Sequence, residues 1–167
     1  MATLGVTPFS QRDPRWADRL LGTSSDTIAK SGCLLCCVAM AANTVGGTDL
    51  WPNELNALLN HVKGYMDGNL LAWFSIAAVT NATVYDSGTC YDEPAPMTRL
   101  FQHTDDGRPV ICRVDSMKGY RDDAHEHWVL LVDEDKCIDP IDGQIKAMKN
   151  ASRDILSWYV YRRKMKE

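Results

Sequence analysis

The chain has 167 residues, of which 45% are hydrophobic, and its formal net charge at pH 7 is −4. Because Lys and Arg cluster only in the short tail "YRRKMKE", the charge pattern excludes nucleic acid as the main partner. No segment contains the roughly 18 apolar residues that cross a bilayer, which excludes membrane insertion, and the length favours a single domain over residues 1–167.

The first half of the sequence is predicted to be helical. The segment "CLLCCVAMAANTV" (33–45) is apolar on nearly every face, which indicates a central buried helix that ends at Gly46. Pro52 lies near the start of the second predicted helix, "TDLWPNELNALLNHV" (48–62), whose leucines recur at helical spacing. Segments 69–81 and 94–104 are predicted to form a third helix and a short fourth helix.

The second half has the pattern of short strands. Segments rich in Val, Ile and aromatic residues are separated by turn residues such as Gly107, Gly119 and Pro140. The predicted strands are 107–115, 126–135, 136–140 and 157–163, with 82–87 as an additional strand. Helices followed by an antiparallel sheet make an α+β fold.

The N-terminal segment "MATLGVTPFSQRD" does not have the pattern of a secretory signal, which is a basic start followed by an apolar stretch. We therefore expect a cytoplasmic protein, or one that leaves the cell by lysis or by packaging into a virus particle. The sequence does not define an oligomeric state.

Six cysteines are present, and most of them have the surroundings of packing residues. Cys36 and Cys37 lie inside the apolar helix, and Cys112 lies in a predicted strand. Free cysteine behaves as a small buried hydrophobe, and cytosolic thiols stay reduced. We expect at least four of the six to be packing residues, which leaves room for a reactive one.

Cys33 is the candidate nucleophile because of its place at the start of the buried helix. If Ser31 caps that helix, Cys33 lies in its first turn, where unpaired N–H groups and the helix dipole stabilise a thiolate. Gly32 is expected to let a substrate backbone approach closely.

A thiol nucleophile also needs a base and a group that orients the base. Of the four histidines, His61 and His103 are expected at the surface, whereas His125 and His127 lie in "AHEHWVLLVD". His127 is preferred because it opens a rigid strand, and His125 is the alternative. Asp139 in "CIDP" follows on the next strand, where its carboxylate would accept a hydrogen bond from the imidazole.

These pieces resemble the C39-like branch of the papain-like cysteine peptidases nearly from end to end. The resemblance is carried by "SQRDPRWADRLLG" (10–22), "TIAKSGCLLCCVAMAAN" (27–43), "PNELNALLNHVKGYMDGNLLAW" (52–73), "GRPVICRVD" (107–115), "HWVLLVD" (127–133) and "IDPIDG" (138–143). It implies a papain-like fold with the nucleophile on a central helix and the base and carboxylate on the sheet. The site residues would be Cys33 as nucleophile, His127 as base, Asp139 as carboxylate and Gln11 as oxyanion-stabilising residue.

Two features depart from the family pattern. Gln11 precedes Cys33 by 22 positions, whereas many papain-like enzymes carry this glutamine a few residues before the nucleophile. Leu34 and Leu35 follow Cys33 where relatives often have small or polar residues, which we expect to narrow the site.

The resulting expectation is acyl transfer to Cys33 followed by hydrolysis of the thioester. The substrate would be a peptide, a protein or the peptide part of peptidoglycan, since stand-alone relatives occur in phage lysins and virion proteins. No cofactor is implied, although a reducing agent would keep Cys33 as a thiol.

Two other interpretations compete with the peptidase. His125, His127 and Cys137 are residue types that bind zinc, although the second half of the chain offers no fourth soft ligand at metal spacing. A catalytically degenerate binding module of the same fold is the non-enzymatic alternative, and it would typically have lost a member of the Cys-His-Asp set.

Overall fold

The computed structural model describes residues 4–115, 126–148 and 155–165. The helices of this part are α1 (Ile28–Ser31), α2 (Cys33–Gly46), α3 (Pro52–His61), α4 (Ile76–Val79) and α5 (Met97–Asp105). The strands are β1 (Tyr65–Met66), β2 (Leu70–Leu71), β3 (Ala82–Thr89), β4 (Val110–Asp115), β5 (Glu126–Leu131), β6 (Lys136–Asp139), β7 (Gln144–Ala147) and β8 (Ile155–Arg163). The expected combination of helices with an antiparallel sheet is present.

Six of the strands form one antiparallel sheet in the order β3-β8-β4-β5-β6-β7, and β1 and β2 form a separate hairpin. Strand β8 lies inside the sheet because it pairs with both β3 and β4. Strands β5, β6 and β7 follow one another as antiparallel neighbours. This half of the sheet lies nearest to the candidate site.

Helix α2 is the centre of the larger hydrophobic cluster. Every residue from Leu35 to Ala42 is buried, as the uniformly apolar sequence predicts. The helix packs against β5 and β8 of the sheet and against α3. Alternate strand residues such as Ile111 and Leu130 belong to this cluster.

A second hydrophobic cluster involves α5. It contains Leu100 from this helix together with Cys112 and Leu131, which alternate along their strands with residues of the first cluster. Because successive strand residues point to opposite faces, the sheet is covered by apolar side chains on both faces.

The predicted third helix, 69–81, is only partly present, because the helical part is confined to residues 73–79. The structure instead has strand Leu70–Leu71, a 3-10 helix at Trp73–Ser75 and one helical turn at Ile76–Val79. Asp67 and Gly68 adopt positive φ angles of 47° and 84° in the turn between β1 and β2. The Trp73 ring stacks on Tyr159 of the sheet, with ring centroids 3.5 Å apart.

The cysteines agree with the expectation that most of them pack the core. All six lie in the described ranges and none forms a disulfide. Five are buried, and Cys33 is half-buried. Burial raises the pKa of the Cys137 thiol to about 11 and that of Cys36 further, which keeps both as neutral thiols. Within the described residues, no helix is long and apolar enough to cross a membrane.

The Asn56 side chain links the segment before α1 to α3 by hydrogen bonds. Its buried side chain accepts hydrogen bonds from Gly22 N (2.9 Å) and Tyr65 Oη (2.8 Å) and donates one to Leu20 O (2.9 Å). We expect Asn56→Ala to lower the free energy of unfolding by about 3 kcal/mol, because it leaves buried partners unsatisfied. Urea denaturation followed by far-UV circular dichroism measures this loss.

Asn60→Ala is the matched control for this substitution. Asn60 lies one turn further along α3, is exposed, and donates to Gly22 O at 3.2 Å. Its loss is expected to cost less than about 1 kcal/mol. Equal losses for the two variants would contradict the role given to Asn56.

Candidate active site

Cys33 is the first residue of α2, and Gly32 occupies the N-cap position. The expectation that Ser31 caps this helix is wrong. Ser31 ends the preceding helix α1, and its Oγ donates to Asp26 Oδ2 at 3.2 Å. Cys33 nevertheless lies in the first turn of α2, where the unpaired N–H groups and the helix dipole favour negative charge.

Glycine is required at position 32 by the packing of α1 against the start of α2. A Cβ atom on Gly32 would lie 2.5 Å from Ile28 O and 2.7 Å from Ile28 Cγ2. The space expected for a substrate backbone is therefore taken by the neighbouring turn of the protein itself. This close contact fixes the direction in which α2 begins.

His127 lies in β5, and its side chain contacts both of the other predicted residues. Its Nε2 lies 2.7 Å from Asp139 Oδ1. Cys33 is a second neighbour of the imidazole, since both side chains contribute to the pKa of His127. Because Nε2 is directed at Asp139, Nδ1 is the ring nitrogen that a thiol could use. The fold thus brings Cys33, His127 and Asp139 together.

The hairpin of β5 and β6 brings the two sheet residues together. Leu130 pairs with Ile138 and Leu131 with Cys137, so the register places Asp139 at the end of the hairpin where His127 lies. The carboxylate is only 17% exposed and the imidazole 20%. The pair is therefore largely shielded from water.

Asp139 accepts hydrogen bonds from three donors. Besides His127, the backbone N–H of Ile141 donates to Oδ1 (3.0 Å) and Lys146 Nζ donates to Oδ2 (3.1 Å). Burial raises the pKa of this carboxyl group, but these donors outweigh it and hold the pKa well below its usual range. Asp139 is therefore a carboxylate throughout the physiological pH range.

The pKa of His127 moves in the opposite direction. Burial alone lowers it, but the hydrogen bonds to Asp139 and Cys33 and their charges outweigh burial and raise it to about 9. An imidazolium is thus favoured at neutral pH beside the Asp139 carboxylate, and it can act as a proton donor there.

Gln11 lies between α1 and the turn that follows Asp139. Its backbone N–H donates to Pro140 O (2.7 Å), and its Nε2 donates to Ala29 O (2.7 Å). The side chain is buried, and its Oε1 has no hydrogen-bond partner among the described residues. One N–H of the amide is committed to Ala29, so an oxyanion contact would use the other. The role predicted for Gln11 stays a prediction.

The other histidines lie apart from this chain of contacts. His61 is exposed, as expected, and His125 lies outside the described residues. The surface position expected for His103 is wrong, because His103 is buried and its Nε2 lies 2.8 Å from Asp86 Oδ2. Arg108 Nε donates to the other ring nitrogen at 3.3 Å, so α5 carries a separate polar network.

This second network borders a cavity of about 890 Å³. Its carboxylates are already paired with basic side chains of the same network, Asp86 with Arg99 and His103, and Asp106 with Arg108. The lining contains no cysteine or serine nucleophile. The candidate site is therefore placed at Cys33 because of the chemistry of its side chains and not because of the size of a cavity.

The zinc interpretation depends partly on His125, which the structure does not describe. Across the described ranges, no group of three or more His, Cys, Asp or Glu side chains has an arrangement that could hold a metal ion. Cys137 is buried with a raised pKa, and His127 is engaged with Asp139 and Cys33.

Lys146 is a site residue that the sequence analysis missed. It lies in β7, a strand that is largely exposed and polar and was therefore not predicted. Besides Asp139, its Nζ contacts Asp142 Oδ2 at 3.0 Å. The Asp142-Gly143 pair could have revealed this strand, since Asp-Gly is typical of a hairpin turn. Such a turn predicts a second strand directly after it, and that strand is β7, which contains Lys146.

No family model matches the sequence, and no curated protein matches it. Among solved structures, the fold is similar to the crystal structure of a candidate C39-like peptidase from Bacillus anthracis, with a TM-score of 0.52 and 16% sequence identity. The match covers 98% of this chain and 100% of that chain. At this identity the similarity establishes the fold, and the chain has a fold like that of the candidate C39-like peptidase.

Gly32→Ala tests whether close packing fixes the start of α2. We expect the new methyl group to push α1 from α2, which lowers the free energy of unfolding by about 1 to 3 kcal/mol and slows alkylation of Cys33. Gly5→Ala is the control, because no atom lies within 4 Å of a Cβ at that exposed position. Denaturation curves and labelling rates of the two variants are compared, and equal behaviour would refute the packing role.

Proposed function

We propose that this protein is a cysteine peptidase in which Cys33 is the nucleophile, His127 the acid and base, and Asp139 the residue that orients the imidazole. The observation that carries the proposal is the 2.7 Å contact between the His127 imidazole and the Asp139 carboxylate, next to Cys33 at the start of α2. The fold of the candidate C39-like peptidase supports it.

The reaction proceeds in two steps. The Cys33 thiolate attacks the carbonyl carbon, a C–S bond forms, and the His127 imidazolium gives its proton to the leaving amine as the C–N bond breaks. Water then attacks the thioester while His127 takes a proton from it. The C–S bond breaks, the carboxylic acid leaves, and the Cys33 thiolate and the His127 imidazolium are restored. Asp139 holds the imidazole in one orientation during both steps.

The oxyanion that forms in each step needs hydrogen-bond donors. The backbone N–H of Cys33 is suited to this, since first-turn N–H groups have no partner within the helix. The uncommitted N–H of the Gln11 amide is the proposed second donor. Its hydrogen-bond partners are Ala29, four positions before Cys33, and Pro140, which directly follows Asp139. The fold thus offsets the separation of 22 positions between Gln11 and Cys33.

The substrate class is a peptide or isopeptide bond in a peptide, a protein or the peptide part of peptidoglycan, in a phage-type or cell-wall hydrolase. The alternative is a degenerate binding module of the same fold. The mutual contacts of Cys33, His127 and Asp139 favour the enzyme, because a module without catalysis has no need for a buried carboxylate to position an imidazole against a thiol.

Removal of either reacting side chain is expected to stop the reaction. Cys33→Ala should show no turnover of a casein or peptidoglycan substrate, and His127→Ala should lose at least about a hundredfold in kcat/KM. Brief treatment with limiting iodoacetamide, followed by peptide mapping, should label Cys33 first in the wild type and slowly in His127→Ala.

His61→Ala is the control for these variants, because His61 is exposed at the end of α3. It should retain wild-type turnover and labelling. Turnover in Cys33→Ala, or scattered slow labelling of several cysteines in the wild type, would overturn the assignment of the nucleophile.

The pH dependence of kcat/KM reports the state of His127. We expect activity to fall on the alkaline side with an apparent pKa of about 9, because the imidazolium that protonates the leaving amine is then lost. Asp139→Asn removes the negative charge that raises the pKa of His127, so the alkaline limb should move to lower pH. Asp142→Asn is the control, because Asp142 contacts Lys146 without contacting His127.

An alkaline limb that stays in place in Asp139→Asn would contradict the proposed electrostatic coupling between the two side chains.

A further inference from the structure

Lys146 binds the oxygen of the Asp139 carboxylate that His127 does not use. Oδ1 accepts hydrogen bonds from the His127 ring (2.7 Å) and from the backbone N–H of Ile141 (3.0 Å). Oδ2 accepts one from Lys146 Nζ (3.1 Å). Because each oxygen has its own donor, the carboxylate is held in one rotation about its Cβ–Cγ bond.

The register of the β6–β7 hairpin brings Lys146 to this position. Cys137 pairs directly with Lys146, and Asp139 pairs with Gln144, so Lys146 and Asp139 lie on the same face of the sheet as diagonal neighbours. Lys146 Nζ also contacts Asp142 Oδ2 at 3.0 Å. Burial lowers the pKa of the Lys146 ammonium group, but its hydrogen bonds to the two carboxylates outweigh burial and raise this pKa. Lys146 therefore stays charged over the pH range in which His127 titrates.

The charges around the His127 imidazole come from several elements. In the described part of the chain, these ionisable groups are Cys33 of α2, Asp139 of β6, Asp142 of the following turn and Lys146 of β7. On β4, the uncharged Val114 lies directly opposite His127, and Asp115 alternates to the other face. Lys146 carries the positive charge in this group, and it lies on the side of Asp139 that His127 does not contact.

The second step of the proposed reaction needs a neutral His127. Cys33 has no charge in the thioester, and Asp139 is then the anion that contacts the imidazole. A carboxylate in this position favours the imidazolium, which cannot take a proton from water. A cation on the second oxygen of the carboxylate opposes this effect by repelling the imidazolium. The Lys146 side chain is 41% exposed, so solvent screening leaves this repulsion moderate.

We propose that Lys146 is a positioning residue that holds Oδ2 of Asp139 and weakens the attraction of this carboxylate for the His127 imidazolium, so that His127 is neutral when it takes a proton from water. This inference rests on the proposed peptidase function, because the thioester step is what requires a neutral imidazole. Lys146 acts on the reaction through Asp139.

The first test measures the pKa of His127 without turnover. The Cys33→Ala variant lacks the thiolate, as the thioester does, and the ring C–H signal of His127 is followed by NMR from neutral to alkaline pH. Lys146→Met in this background removes the positive charge and should raise the His127 pKa by about half a pH unit. The signal is assigned by its absence in His127→Ala.

Two further substitutions in the same background control for the loss of a lysine. Lys136→Met is the matched control, because Lys136 is an exposed residue of β6 in the same hairpin, and it should leave the His127 pKa unchanged. Lys146→Arg keeps a cation that can donate to Asp139 and should also keep this pKa. If Lys146→Met does not fold, Lys146→Gln decides the question, because it keeps a donor for Asp139 and removes the charge.

The second test measures the thioester step directly. With p-nitrophenyl acetate, the initial burst of nitrophenolate reports acylation of Cys33, and the steady rate that follows reports hydrolysis of the thioester. At neutral pH, Lys146→Met should leave the burst in place and lower the steady rate by up to about threefold, which is the change that half a pH unit makes in the neutral fraction of His127. Cys33→Ala should show no burst.

A His127 pKa that is unchanged or lowered in Lys146→Met would overturn the inference, even with a normal burst in the wild type. So would a steady rate that falls equally in Lys136→Met. Failure of the proposed function gives a different result, because the wild type would then show no burst, while the NMR titration still reports whether Lys146 acts on the imidazole.

Discussion

Burial of α2 on several sides at once is the constraint on which the rest of the structure depends. The stretch from Leu35 to Ala42 has no exposed residue, so the sheet and α3 both pack against it. Close packing of Gly32 on Ile28 then sets where the helix begins. The first residue after that contact is Cys33, which is half-buried. The packing that stabilises the core thus also presents a thiol at the positive end of a helix.

The electrostatics of the candidate site depend on Asp139. The carboxylate accepts hydrogen bonds from His127 of β5, from the backbone N–H of Ile141 in the following turn and from Lys146 of β7. The same turn accepts the backbone N–H of Gln11 at Pro140. One short segment therefore holds the imidazole, sets its pKa and anchors the N-terminal part of the chain. Its position explains how residues far apart in sequence come to share one site.

The errors of the sequence analysis have a common physical origin. The 69–81 segment has helical periodicity, but the stacking of Trp73 on Tyr159 is a contact between residues 86 positions apart. His103 has the sequence surroundings of a surface residue at the end of a helix. In the structure it is buried, and Asp86 and Arg108 are its hydrogen-bond partners. Propensity and periodicity describe neighbours along the chain, and neither reports a partner from a distant strand.

Composition and pattern alone determined that the chain has a buried central helix beginning at Cys33 and a set of later strands, because apolar periodicity is a local property. The sequence also predicted the order Cys33, His127, Asp139 along the chain and the turn that follows Asp139. Only the tertiary structure decided that these three side chains come together and that Lys146 joins them through the unpredicted strand β7. Those features depend on strand register and side-chain packing, which arise from long-range contacts that no local sequence pattern encodes.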